Sequence, residues 1–307
     1  MKSDFLSRMC GKLLGDGCIV QQEGRKPRFQ FIHRLEDEQW SEYCYEKLKP
    51  YIPLALPFYR KTMDPRMTKG YTESIMVQSK TSAIITELRT IWYPNDIKQL
   101  PFSFIQTHLN AEALAWWYQD DGHLNIHNGV MKKIILSTDN FSSEENSTLI
   151  QLAYKKFNLR FAIDAQNRLL LYEQAQIIRF LQIVSPYLQP SMSRKAHYPI
   201  PIKPIANRTT VYLPQDFKLI RPTQEINDSL RHLSIEYGNI SGTEMNDLII
   251  LQILKQRWKQ STKKPYQIKI PEEYRVWLAQ LRQTTGLTIS ELVTHFLTES
   301  LAEEKIK

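Results

Sequence analysis

Two stretches of the chain, GKLLGDG at 11–17 and WWYQDDG at 116–122, each bring an apolar stretch to a stop at an Asp-Gly step, and the steps lie 105 residues apart. Each step opens onto the same succession of elements. From Phe5 to Leu14 apolar residues recur at helical spacing, and Gly15 and Gly17 are expected to end that helix around Asp16. CIVQQ (18–22) and RFQFIHR (28–34) then alternate as a hairpin. A helix over about 36–49, strands near 56–62 and 71–79 and a helix over about 81–92 complete an αββαββα order. After a proline-bearing connection at 94–108, the order restarts. A helix over 110–120 leads to Asp121-Gly122, strands HLNIH and KKIILS, a helix over 142–157, strands RFAIDA and RLLLY, and a helix over 174–184. A chain that repeats itself in this way folds as two copies of one unit.

The repetition gives the Asp-Gly steps their meaning. Asp-Gly ends many helices without further purpose, but here two fall at equivalent points of a repeat. If the two helices pack side by side, with Gly11 and Gly15 permitting close approach, both carboxylates arrive together. Like charges held that close call for a cation between them, so the pattern asks for a divalent metal with oxygen ligands, Mg²⁺ being the natural candidate.

Composition sets the surroundings. With 307 residues, 42% of them hydrophobic, the chain can bury a sizeable core, and 40 Lys+Arg against 32 Asp+Glu give a net charge of +8 that favours a polyanionic partner. Residues 1–204 carry most of it, with 26 basic and 20 acidic residues. Three cysteines, Cys10, Cys18 and Cys44, form no CxxC pair, which predicts reduced thiols. The charge-free run LIILQIL at 248–254, which could suggest a membrane, falls well short of the roughly 20 residues of a spanning helix, and MKSDFLSRM lacks a signal core. A cytoplasmic protein with no membrane partner is expected.

The segments MCGKLLGDG (9–17) and LAWWYQDDG (114–122) resemble the two copies of the motif that defines LAGLIDADG homing endonucleases, and the resemblance extends over about residues 4–200. It includes the connection WYPNDIKQLP and the closing SPYLQPSMSRK. Cys10 and Lys12 in the first helix, and Trp116 in place of the small residue seen at Gly11, depart from the family pattern. The resemblance implies an α+β fold in which two pseudo-symmetric repeats, 1–95 and 96–204, form a saddle of two four-stranded antiparallel sheets with the motif helices at its centre. It implies a monomeric, site-specific, Mg²⁺-dependent double-strand DNA endonuclease of intron-encoded type, acting on a long target site. Asp16 and Asp121 would be its catalytic acids. Backbone carbonyls at Gly15 and Asp120 would complete the metal ligands. Lys98 and Lys195 match positions of basic residues near each active site, where they would act in catalysis by stabilising phosphate charge, and His33 a water-orienting polar position whose second-half counterpart is Thr138 or Asp139. An intron-RNA maturase is the alternative on the same scaffold, and a DNA-binding regulator a third.

Strand alternation turns Gln22, Arg28 and Gln30 outward in the first half and Asn125, His127 and Lys133 outward in the second, where they could read base edges, with Leu124, Ile126 and Ile134 inward. His123 and His127 lack a third nearby ligand of the kind zinc needs. Trp40, Trp92, Trp116 and Trp117 fall on helices and are expected in the core.

Residues 205–307 form a smaller, mostly α module. TTVYLPQDF (209–217) and PYQIKIPEEY (265–274) each read as a strand followed by a helix ending near Gly238 or Gly286, and by a second helix opened by SGTE or TISE. Strand-helix-helix, twice, resembles a tandem ribbon-helix-helix DNA-binding module. Thr210 and Tyr212 on one strand and Gln267 and Lys269 on the other would face DNA, with Val211, Leu213, Ile268 and Ile270 inside.

Overall fold

The computed structural model describes residues 2–196, 202–237, 249 and 262–304. The first repeat runs α1 (Lys2–Leu14), β1 (Gly17–Val20), β2 (Arg28–Arg34), α2 (Glu38–Leu48), β3 (Phe58–Met63), β4 (Tyr71–Gln78) and α3 (Ala83–Trp92). The second runs α5 (Ala111–Asp121), β5 (Gly122–His127), β6 (Val130–Leu136), α6 (Ser143–Phe157), β7 (Ala162–Ile163), β8 (Leu169–Leu171) and α7 (Gln174–Val184). Each repeat makes one four-stranded antiparallel sheet, in the orders β1-β2-β4-β3 and β5-β6-β8-β7, so strand order repeats along with the helices.

Alternation decides which sheet face packs on the helices. Phe29, Phe31 and His33 of β2 are buried and Arg28 and Arg34 exposed, as a period of two requires. The four tryptophans of the repeats are all buried, with Trp40 packed edge-on against Trp116.

Three expectations are corrected. The connection at 94–108 contains a further helix, α4 (Phe102–His108), whose Ile105 is buried. The last hairpin of the second repeat is much shorter than RFAIDA and RLLLY suggest, two and three residues long. Ile126 faces out, not in: a bulge in the pairing between Asn125 and Ile126 breaks the alternation and leaves Ile126 38% exposed, whereas Leu124 and Ile134 are buried as expected.

The motif glycines serve space, not backbone handedness. Neither Gly15 nor Gly17 has positive φ, contrary to a left-handed helix stop. A Cβ on Gly11 would lie 2.3 Å from the Ala113 carbonyl oxygen, and one on Gly15 would lie 2.6 Å from Cβ of Asp120. Helices α1 and α5 therefore meet backbone to backbone at Gly11, while at Gly15 the chain packs against the Asp120 side chain.

In the C-terminal region β9 (Arg208–Pro214) pairs antiparallel with β10 (Lys263–Lys269) as a two-stranded ribbon, with Thr210 opposite Gln267. Thr210, Tyr212, Gln267 and Lys269 are exposed, and Val211, Leu213, Ile268 and Ile270 buried. Helix α8 (Pro222–Tyr237) follows β9. Helix Glu272–Thr285 follows β10 and ends at Gly286 in the left-handed conformation (φ 69°). Helix Ile289–Glu304 is opened by reciprocal Thr288–Glu291 hydrogen bonds. The expected helix opened by SGTE lies outside the described residues. The region leans on the second repeat, where Gly286 abuts Gln174 and Ala175 of α7. Among the described residues no helix is long and apolar enough to cross a membrane.

Candidate active site

Helices α1 and α5 end side by side, and the residues just beyond or at their ends are acidic. Asp16 lies past the last residue of α1 and keeps 34% of its side chain in solvent. Asp121 is the last residue of α5, and its carbonyl accepts the Ser137 amide at 3.1 Å. Between them lies a third carboxylate. Asp120 has no exposed side-chain area, and its Oδ1 accepts from Lys12 Nζ at 2.6 Å and Trp40 Nε1 at 2.8 Å, while its Oδ2 accepts the backbone N–H of Asp16 at 3.1 Å.

Lys12, fully buried, also donates to His33 Nε2 at 2.7 Å. An ammonium has no lone pair, so His33 Nε2 is the acceptor and the ring proton sits on Nδ1, which donates to Ser41 Oγ at 2.7 Å. Burial and the Lys12 charge push the His33 pKa down to about 4, so the ring is neutral. Its Nε2 lies 3.3 Å from Asp120 and 3.7 Å from Asp16. His33 thus faces the acid cluster and not the open side of its sheet. Pairing register places Thr138 where His33 stands: Gly17 pairs with Phe31 and Gly122 with Leu136, and two residues further on come His33 and Thr138, both buried.

The three carboxylates divide sharply in their electrostatics. Burial disfavours charge on Asp120, but Lys12 and the donors around it hold its carboxyl well below the usual carboxylate range. Burial lowers the Lys12 pKa, yet the Asp120 charge more than offsets this and raises it. Asp16 has the opposite fate: burial and then the Asp120 charge push its pKa up to about 8, against the pull of Lys12. Burial and Asp120 likewise push Asp121 up to about 7, with Lys195, Lys12 and Lys98 pulling the other way. Among the described residues neither Asp16 nor Asp121 accepts a hydrogen bond from a side chain.

This donor set fits a hard divalent cation, because Asp16 and Asp121, at the neighbouring ends of α1 and α5, are carboxylates whose oxygens no side-chain donor among the described residues occupies. A cluster of Asp16, His33 and Asp120 also has its ligand atoms within 4.8 Å of one another. It is the poorer ligand set, since the lone pair of His33 Nε2 faces Lys12 and the oxygens of Asp120 already have donors.

The expected basic residues lie beside the acids. Lys98 lines a cavity of about 300 Å³ together with Gly15, Asp121 and Glu145, and burial lowers its pKa. Lys195 is buried and donates to the backbone carbonyls of Tyr118 (3.1 Å), Gln119 (2.5 Å) and Asp120 (3.3 Å). In this state it caps the C-terminus of α5, and the Asp120 carbonyl expected among the metal ligands faces its ammonium. Burial pulls its pKa down to about 8.

The remaining residues lie apart from the acids. Gln22 and Arg28 line a groove of about 190 Å³ with Arg25, Lys26 and Gln78, and Gln30 bonds Gln78 at 2.9 Å. Asn125 stands opposite Lys133 across β5 and β6, and His127 is exposed. Sequence reasoning missed Asp120 as a side chain and Trp40 as a donor. The signal was Lys12, a cation on the apolar stripe of a packed helix, which demands a buried partner.

A match to the LAGLIDADG DNA endonuclease family spans residues 6–180. The chain belongs to that family. The chain is similar to an uncharacterized protein of Methanocaldococcus jannaschii, 28% identical over 199 residues, covering 64% of this chain and 74% of that one. The cytochrome b mRNA maturase bI2 of Debaryomyces hansenii is 27% identical over 209 residues, with the same coverage. Among solved structures, the homing endonuclease I-WcaI bound to its DNA recognition sequence superposes with a TM-score of 0.57 at 20% identity, covering 64% of this chain and 88% of that one. The shared fold is the two-repeat α+β arrangement of sheets and motif helices.

Proposed function

We propose that this LAGLIDADG protein is a monomeric, site-specific double-strand DNA endonuclease that uses Mg²⁺, with Asp16 and Asp121 as its catalytic acids. The observation that carries the reading is the convergence of two undercompensated carboxylates at the α1–α5 seam, each from an equivalent point of its repeat. A cation held by Asp16 and Asp121 would neutralise the scissile phosphate and make an attacking water more acidic. The protein's own groups then divide the work. Asp16 and Asp121 each serve one strand. Lys98, beside Asp121, offsets charge that develops on the phosphate. Lys195 keeps the end of α5 in place. Arg28, Gln30, Asn125, His127 and Lys133 are proposed to read bases, and Gln22 to contact the backbone from the groove it shares with Arg25 and Lys26. The ribbon residues Thr210, Tyr212, Gln267 and Lys269 are proposed to add contact outside the nuclease site, with 1–95, 96–204 and 205–307 as the working units.

The test is strand-resolved cleavage of a site recovered from a plasmid library with randomised inserts. Asp16→Asn and Asp121→Asn should each abolish double-strand breaks in Mg²⁺ and keep DNA binding in Ca²⁺, because these carboxylates hold metal and read no bases. Double-strand cutting at the wild-type rate by either variant would refute the assignment. The similarity to a cytochrome b mRNA maturase supports a second reading, binding of intron RNA. Splicing of an intron transcript by the same preparation, with no DNA cleaved, would favour it.

A further inference from the structure

The two acids are held in place by different means. Asp121 is the last residue of α5 and is held by its own helix. Asp16 lies beyond the end of α1, and its N–H is satisfied by a side chain from the other repeat, Asp120 Oδ2. Among the described residues no reciprocal contact exists, because the position equivalent to Asp120 in the first repeat is Gly15, packed against Asp120 itself. Asp120 in turn is locked by Lys12 from α1 and Trp40 from α2, and Lys12 by His33 and, through it, Ser41. Lys12, His33, Trp40, Ser41 and the Asp120 side chain are buried, so the bonds that lock Asp120 are made without competing water, and the bond to Asp16 lies at the exposed end of the network.

On the endonuclease reading, we infer that Asp120 is a positioning residue for Asp16 alone, held by Lys12, so that one of the two strand-cutting centres is built by both repeats and the other by one. The charge of Asp120 acts on both acids, but its hydrogen bond reaches only one. Loss of the bond should therefore uncouple the two cuts, whereas a change of charge or general loosening affects them together.

Asp120→Asn removes the charge and the bond together, so the difference between the two strands, not the overall rate, reads the bond. The amide oxygen remains the best acceptor for Lys12 and Trp40, which turns the NH₂ toward the Asp16 N–H and leaves two donors facing each other. Lys12→Met with Asp120→Leu removes the network while leaving no unpaired buried charge, and serves if the single variant folds poorly. Two measurements apply to each. In hydrogen exchange with metal-free protein, the Asp16 amide should exchange about tenfold faster or more, with the α5 amides unchanged. In single-turnover cleavage with each strand end-labelled, the strand whose cutting is more sensitive to Asp16→Asn should slow by about tenfold or more relative to the other. Equal slowing of both strands, or an Asp16 amide already exchanging freely in the wild type, would overturn the inference. A wild type that cuts no DNA would overturn the endonuclease reading instead, and amide exchange alone would then decide whether Asp120 fixes Asp16.

Discussion

At the scale of single residues, the site is governed by which carboxylate receives the available cations. Lys12 goes to Asp120, which leaves Asp16 and Asp121 with pKa values raised to about 8 and about 7 by burial and by Asp120. A carboxyl whose pKa is raised on folding contributes stability that is fully present below its unfolded value and is lost as pH rises through the folded value. For the metal-free chain, the contribution of these two groups should therefore decline between about pH 4 and pH 8. A cation that binds the ionised pair reverses the loss. Added Ca²⁺ should raise the melting temperature more at pH 8 than at pH 5.5, and Asp16→Asn with Asp121→Asn should remove that difference, as read by calorimetry. An equal shift at both pH values would mean that Ca²⁺ binds elsewhere. Asp16 and Asp121 were legible in the sequence because each sits at an equivalent point of a repeat. Asp120 was not, since QDDG read alone gives its first acid no partner. Only the fold brings Lys12 to it across 108 residues of sequence.

Among the elements, the α1–α5 seam depends on distance of approach. Gly11→Ala should raise intrinsic helix propensity by about 1 kcal/mol, yet its Cβ would meet the Ala113 carbonyl oxygen at 2.3 Å and Trp116 Cβ at 2.8 Å. Backbone cannot swing aside as a long side chain can, so the net effect should be destabilisation of about 1–3 kcal/mol in denaturant titration. Gly24→Ala, with nothing within 4 Å but φ of 67°, tests backbone strain alone and should cost about 1–2 kcal/mol. A stabilised Gly11→Ala would mean a looser seam than these distances require. The strand and helix order was readable because burial on one face leaves alternation or 3.6-residue spacing in the sequence. Where those periods fail, reading fails too. A bulge let Ile126 turn outward, and α4 was read as connection because of the prolines before it, Pro94 and Pro101, although Phe102, Ile105 and Leu109 carry helical spacing.

On the scale of the whole molecule, the ribbon and its helices rest on α7, away from Asp16 and Asp121. A cavity of about 450 Å³ lies where they meet, lined by Gln174 from the second repeat, Thr210 and Tyr212 from the ribbon, and Arg282 and Ser290 from the helices after it. Deleting 205–307 should shorten the protected DNA and weaken binding without moving the cut phosphates. A footprint of unchanged length would remove the module from DNA contact. The seam between the repeats has a different bearing on assembly. A pair of first repeats would bury two Lys12 ammonium groups opposite Gly15 with no carboxylate between them. A pair of second repeats would set Trp116 against Trp116 where Gly11 now gives way, and two Asp120 carboxylates without a counter-charge. Each half is one side of a lock that its own copy cannot turn. For a protein built from two like units, the way back to a symmetric dimer is closed: each half now needs the other and not a copy of itself.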